Sequence, residues 1–222
     1  MSSKRWVVYA ILLGTSSLLL PVEARGEVIV TRLGDLGDTI AELPQSSLPG
    51  HCTIGNAVVP TSFYRLPWFE ATDIAYSMAP NRDCPECPLG FRILSIHKIF
   101  QAEQPMSEPA WAGLENASSP FRFGCPGPPE SLPSDPTENL QCSGAGMMSI
   151  EAPGIYHVEI PVECSCISPD YAYALVSFMG HPFVPYGVDD IPGFCNSYYN
   201  LGHGTAWQWD ADAPGNLVLY AE

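Results

Sequence analysis

Two apolar runs toward the C-terminal end organise the pattern of the chain: Gly154-Ile-Tyr-His-Val-Glu-Ile-Pro-Val-Glu-Cys-Ser-Cys166 and Tyr171-Ala-Tyr-Ala-Leu-Val-Ser-Phe-Met179. In the first, Tyr156, Val158, Ile160 and Val162 share one face, while Ile155, His157, Glu159 and Pro161 share the other. A period of two marks a half-buried antiparallel strand. Ser168-Pro-Asp170 supplies a turn into the second run, whose β-branched and aromatic content also reads as strand.

The same reading extends outward. Residues 90–100 make a strand buried along most of its length, and 27–33, 147–150, 205–209 and 216–221 make shorter ones, with Asp212-Ala-Pro-Gly215 as the last turn. Residues 124–141 read as loop, 108–116 stay open, and 180–200 are rich in Pro, Gly and Tyr. Between 34 and 83, Pro44, Pro49, Pro60, Pro67 and Pro80 interrupt regular structure. The expectation there is an extended lead with short strands or one helical turn, 38–43 being the candidate for the turn. Its aromatics (Phe63, Tyr64, Trp68, Phe69 and Tyr76) argue against disorder, because such rings bury themselves against a core.

With no periodic helix and turn signals at short intervals, the fold class is all-β: an antiparallel, jelly-roll-like β-sandwich. Its expected extent is 84–222, with 25–83 as an irregular segment packed on the core. Residues 1–24 have the form of a signal peptide: Lys4 and Arg5, an apolar stretch over 6–20, and small residues around Val22-Glu23-Ala24. The stretch is shorter than the roughly 20 residues needed to span a bilayer. The chain is therefore expected to be secreted, periplasmic or on the cell surface, without a membrane span once the leader is removed.

Composition adds two constraints. The formal charge of the 222-residue chain is −15, and Lys98 is the only lysine beyond the leader. Such a surface repels phosphate backbones, so nucleic acid is not an expected partner. All eight cysteines (Cys52, Cys84, Cys87, Cys125, Cys142, Cys164, Cys166 and Cys195) follow the leader, as in an exported disulfide-linked protein. Cys125 and Cys142 bracket a proline-dense loop, and a bridge between them would be worth about 3 kcal/mol of unfolded-state entropy. Cys164 and Cys166, two apart on one strand, point the same way and seek different partners, Cys195 being one.

Four stretches resemble a group of uncharacterised secreted bacterial proteins: Cys84-Pro-Glu-Cys-Pro-Leu-Gly-Phe91, Gly154-Ile-Tyr-His-Val-Glu-Ile-Pro161, Cys195-Asn-Ser-Tyr198 and Ala213-Pro-Gly-Asn-Leu217. The resemblance covers the chain from about Cys84 onward and implies an exported β-sandwich. The group has no established activity, so the resemblance transfers no functional residue.

Candidate chemistry is sparse. Cys84-x-x-Cys87 is flanked by Pro85 and Pro88 and precedes a strand, which suits structural disulfides better than a redox helix or a zinc knuckle. His51, His97, His157, His181 and His203 share no ligand spacing, and His97 and His157 lie within strands where neighbours can satisfy them. Ser143 is not in a Gly-x-Ser-x-Gly elbow.

Asp189, Asp190, Asp210 and Asp212 are loop carboxylates of the kind calcium takes, either a cation site or a solvated acidic surface; no other cofactor is expected. Trp207 and Trp209 fall on one side of a short strand near Tyr198 and Tyr199. Buried, the rings are core; exposed, they form a platform for a sugar.

The expectation that follows is a non-catalytic secreted or cell-surface module that binds an extracellular glycan or surface protein. A structural subunit of an extracellular assembly is the alternative, and a secreted hydrolase the third reading.

Overall fold

A computed structural model describes residues 23–24, 26–44, 51–65, 73–86, 89–116, 140–167, 172–178, 184–191, 197–200 and 215–222. Their elements are β1 (Glu23–Ala24), β2 (Ile29–Gly34), β3 (Ile54–Gly55), β4 (Ser62–Tyr64), β5 (Asp73–Met78), the helical turn α1 (Pro80–Asp83), β6 (Phe91–Ala102), β7 (Met106–Asn116), β8 (Leu140–Ile150), β9 (Gly154–Ile167), β10 (Ala172–Phe178), β11 (Tyr186–Val188), β12 (Ser197–Asn200) and β13 (Leu219–Ala221).

The strands form two sheets. One has the order β1-β8-β7-β10-β5-β12, the other β2-β9-β6-β11-β4, with β13 paired to β6 and β3. Pairing is antiparallel except where β1 runs parallel to β8. The chain crosses between sheets through Glu103-Gln104-Pro105, from β6 to β7, and through Glu151-Ala152-Pro153, from β8 to β9. Prolines close both links, where a missing N–H removes no ladder bond.

One core cluster draws on both sheets. Tyr156, Val158, Ile160 and Val162 of β9 enter it, as the alternation predicts, opposite Ala110, Ala112 and Leu114 of β7 and Ala174, Val176 and Phe178 of β10. Strand β6 is more unusual. Register shifts between Phe91 and Ile93 and between Ile93 and Ser95 change which parity faces inward, so Phe91, Ile93, Ile96 and Phe100 all reach the same core.

The outer face of the seven-stranded sheet is buried too. Ile99, Ile155, Val218 and Tyr220 form a second cluster with Ile40 and Leu43 from the stretch after β2.

Two disulfides tie this arrangement. Cys142 on β8 is bonded to Cys164 on β9, joining the sheets, with Cα atoms 5.3 Å apart. Cys52 is bonded to Cys84 at the end of α1, with Cα atoms 6.0 Å apart. The expected bridge between Cys125 and Cys142 is therefore corrected, and Cys195 is not the partner of Cys164. The turn before β9 folds the chain back so that Cys142 and Cys164 face each other across the core, a proximity invisible in linear spacing. Cys87, Cys125 and Cys195 lie outside the described residues.

Other differences have local causes. Residues 38–43 form no helical turn; the helical turn falls at Pro80–Asp83, where proline occupies a first-turn position without losing a bond. The open stretch 108–116 is strand, and 147–150 is the end of a strand that begins at Leu140. The stretch 34–83 carries β3 and β4 in one sheet and β5 in the other. The loop read over 124–141 and the strand over 205–209 lie outside the described residues, except for Leu140 and Gln141 in β8, as do residues 1–22 of the leader.

Candidate functional site

Antiparallel pairing of β6 with β9 sets His97 opposite Glu159 and Ile99 opposite His157, and β13 on the other side of β6 sets Tyr220 opposite His97. All these side chains lie on the sheet face covered by the 38–44 stretch. His97 and Tyr220 stack with ring centroids 4.7 Å apart and planes 3° apart. His97 Nδ1 lies 3.0 Å from His157 Nε2, His97 Nε2 lies 2.7 Å from Ser95 Oγ, and His157 Nε2 lies 3.3 Å from the Tyr220 hydroxyl. Tyr220 donates to the carbonyl of Pro44 at 2.6 Å.

The network determines its own protons. Pro44 can only accept, so the Tyr220 hydroxyl hydrogen points there. With a proton on Nε2, His157 donates to His97 Nδ1, and His97 Nε2–H donates to Ser95. Ser95 in turn hydrogen-bonds the Glu159 carboxyl. His157 Nδ1 is left as a buried atom without a partner. In this tautomer it is a bare acceptor, which costs less than the buried N–H the opposite tautomer would leave.

Burial dominates the electrostatics. It pushes His97 down to about 3, with His157 adding to the effect, and His157 down to about 4. Both rings are therefore neutral at pH 7. Burial raises Glu159, assisted by Glu222 and opposed by the Ser95 hydrogen bond. Burial also raises Tyr220, with Glu222 and Glu159 contributing.

As chemistry, this is a serine hydroxyl with a histidine beside it, yet Ser95 is 5% exposed and His97 3%. A substrate carbonyl has no approach to that oxygen.

The open depressions lie elsewhere. One, of about 280 Å³, is lined by His51, Ile54, Phe91, Arg92, Leu94, Glu222 and the Cys52–Cys84 disulfide. Arg92 sets its character. Arg32, Arg65 and Arg82 are ion-paired with Asp35, Glu103 and Asp83, and Lys98 is buried between the sheets. Arg92 is exposed and has no carboxylate partner among the described residues. A second depression, of about 250 Å³, surrounds Arg65, Glu103 and Met106, but its arginine is neutralised by Glu103 at 2.5 Å.

The residues singled out from the sequence fall differently. Asp189 is 2% exposed, and its carboxylate is occupied by protein donors. Oδ1 accepts from the backbone N–H groups of Asn216 (2.8 Å) and Ile191 (3.1 Å), and Oδ2 accepts from Asn56 Nδ2 (2.9 Å). It clasps the chain before β13 onto β11. Asp190 beside it is exposed.

Tyr198 and Tyr199 belong to β12, opposite Ala75 and Ile74. Trp207, Trp209, Asp210 and Asp212 lie outside the described residues, as do His181 and His203.

Cys52, Cys84 and Glu86 have donor atoms within 4.8 Å of one another, but the two sulfurs are spent on the disulfide. The histidine array was missed because its members are 60 and 63 residues apart. The usable signal was Ser95-x-His97 facing His157-x-Glu159 on two strands that pair. Compared with protein-family models, curated proteins and solved structures, the chain matches none.

Proposed function

We propose that this chain is an exported, non-catalytic binding module whose ligand presents a carboxylate, an acidic extracellular glycan being the class that fits. The observation that carries the reading is Arg92: an exposed cation, unpaired among the described residues, lining a depression in a chain of net charge −15. Arginine's planar fork receives a carboxylate through two parallel hydrogen bonds. The apolar lining from Ile54, Phe91 and Leu94 offers a surface for the ligand's carbon face. Repulsion from the net charge is screened beyond a Debye length of about 8 Å at physiological salt, so the arginine contact acts at short range.

The burial of Ser95 and His97 supports the non-catalytic half of the reading. The two disulfides and the leader-like residues 1–24 support export, and among the described residues no helix is long and apolar enough to cross a membrane.

The test is an array of acidic and neutral glycans probed with the exported chain and with Arg92→Ala. Retention on acidic glycans that Arg92→Ala abolishes is the expected result. Equal retention by both proteins overturns the role of Arg92, and turnover of ester or glycoside substrates overturns the non-catalytic reading. Repeating the array with chelator tests calcium at Asp189, Asp190, Asp210 and Asp212. With Asp189 satisfied by its three donors, binding is expected to survive.

A second reading, assembly into an extracellular polymer, draws on β2. That strand ends its sheet and carries Ile29, 48% exposed, a combination that invites edge pairing. Concentration-dependent polymers in size-exclusion chromatography, with a blank array, would favour it.

A further inference from the structure

The stretch after β2 is joined to the sheet it covers by apolar packing and by a hydrogen bond. Ile40 and Leu43 share a cluster with Ile99, Ile155, Val218 and Tyr220, against which Leu33, Ala57, Val59 and Phe63 also pack, and Tyr220 donates one hydrogen bond to Pro44. The stretch itself belongs to no helix and no strand ladder. Directly beneath it lie two stacked, hydrogen-bonded imidazoles. We propose that residues 38–44 form an acid-released strap: neutral His97 and His157 hold Tyr220 in place to bind it, and a proton on either ring frees it and uncovers Ile99, Ile155 and Val218.

The geometry explains the sensitivity. A proton added to His97 Nδ1 turns the 3.0 Å contact with His157 into two N–H groups facing each other. A proton added to His157 Nδ1 places a charged donor where no acceptor exists. Either event leaves a cation among Ile40, Leu43 and Ile99, and lifting the strap is the motion that brings water to it.

Two carboxylates face the array: on β9, Glu159 stands opposite His97 and hydrogen-bonds Ser95, and Glu222 follows β13, both acting electrostatically on Tyr220. The imidazole nitrogens themselves contact Ser95, each other and Tyr220 rather than either carboxylate. On the strap, Asp38 binds the backbone of Asp35 and Glu42 is exposed. On β2, Thr31 opposes His157 and Arg32 is paired with Asp35. Lys98, next to His97, alternates to the sheet's other face and lies over Phe178 and Tyr186.

In the open state the rings regain an ordinary affinity for protons, near pH 6.5. Opening therefore becomes up to about 10-fold more favourable per pH unit and per ring as the pH falls from 6.5 toward 4.

The strap contains a readout, the bond after Glu42, which a glutamate-specific protease active from pH 4 to 8 can cut. Its rate in the full chain is divided by that in a free peptide of residues 36–48 at each pH. The expected result is a rise of at least 10-fold between pH 7 and pH 5 with the far-ultraviolet β signal unchanged, and a flat profile in His97→Gln/His157→Gln. Tyr220→Phe is expected to raise the rate at pH 7.

A flat wild-type profile overturns the proposal, as does a rise that persists in the double variant. Loss of the β signal at the same pH also overturns it, because acid would then be unfolding the whole domain. If the double variant does not fold, Tyr220→Phe decides: a rate at pH 7 equal to wild type overturns the strap.

Discussion

Lys98 of β6 points its amine at Tyr186 of β11, with Nζ 3.5 Å from the ring centroid and the Phe178 ring of the opposite sheet 4.3 Å away on the other side. The side chain is 2% exposed, and burial drives its pKa well below 10.5. A cation over a desolvated ring gains about 2 kcal/mol, whereas an ammonium taken out of water loses several. Desolvation outweighs the ring contacts, and burial shifts the amine toward its neutral form.

Replacing Lys98 by Met keeps the apolar stem and removes the desolvation penalty. Lys98→Met is expected to match or exceed the wild-type melting temperature, and Lys98→Glu to fall far below it, in scanning calorimetry. The folded amine titrates below the unfolded one, so wild-type stability rises as pH approaches 10.5, a slope Lys98→Met lacks. A Lys98→Met midpoint more than about 5 °C lower would show that the ring contacts dominate.

The histidine pair gives the acid side of the stability profile. The unfolded chain takes up protons below pH 6.5, whereas folded His97 and His157 resist until about 3 and 4. The folded state is therefore undermined as pH drops through that window. Two such groups amount to a loss of about 4 kcal/mol between pH 7 and pH 5. Glu159, raised in the fold, acts in the opposite sense near its own titration. Urea unfolding at the two pH values measures the difference, and His97→Gln/His157→Gln should remove most of it.

Asp189→Ala removes the acceptor of three N–H groups: two on the backbone and one of the two on the Asn56 amide, whose other N–H keeps the Leu217 carbonyl. A loss of about 3 kcal/mol is expected, read as a lower urea midpoint with unchanged slope. Gly215→Ala tests the same clasp by steric means. A Cβ there would stand 1.8 Å from the Asp189 carbonyl oxygen, closer than any relaxation of β11 can relieve cheaply. A variant as stable as wild type would show that the segment before β13 is not held there.

The disulfide between Cys142 and Cys164 closes a separation of 22 residues. Replacing both with Ser is expected to destabilise by about 3 kcal/mol, measured by chemical denaturation. Mass spectrometry of unreduced peptides should link β8 to β9. A linkage of Cys125 to Cys142 would contradict the fold.

Much was legible along the chain because strand alternation is a local signal. Tyr156, Val158, Ile160 and Val162 face the core as their spacing predicted, and all-β antiparallel architecture with disulfides followed from pattern and composition. Strand β6 was legible only as buried, since the register shifts near Ile93 that turn both parities inward depend on its pairing with β9. The absence of a helical turn at 38–43 was not legible either, because the course of this stretch is set by packing of Ile40 and Leu43 on the apolar face of Ile99 and Ile155.

Sequence alone determined what short-range physics controls: that runs such as 90–100 and 154–166 are strands, which face of an alternating run is apolar, and that an acidic, cysteine-bearing chain suits an oxidising compartment. Tertiary structure alone decided which distant groups meet. Cys142 found Cys164 rather than Cys125, Asp189 became an internal acceptor instead of a cation ligand in waiting, and His97, His157 and Tyr220 converged beneath Pro44. Those outcomes depend on strand register and sheet crossing. A one-residue slip in pairing turns a side chain to the other face, and no neighbour in sequence carries that information.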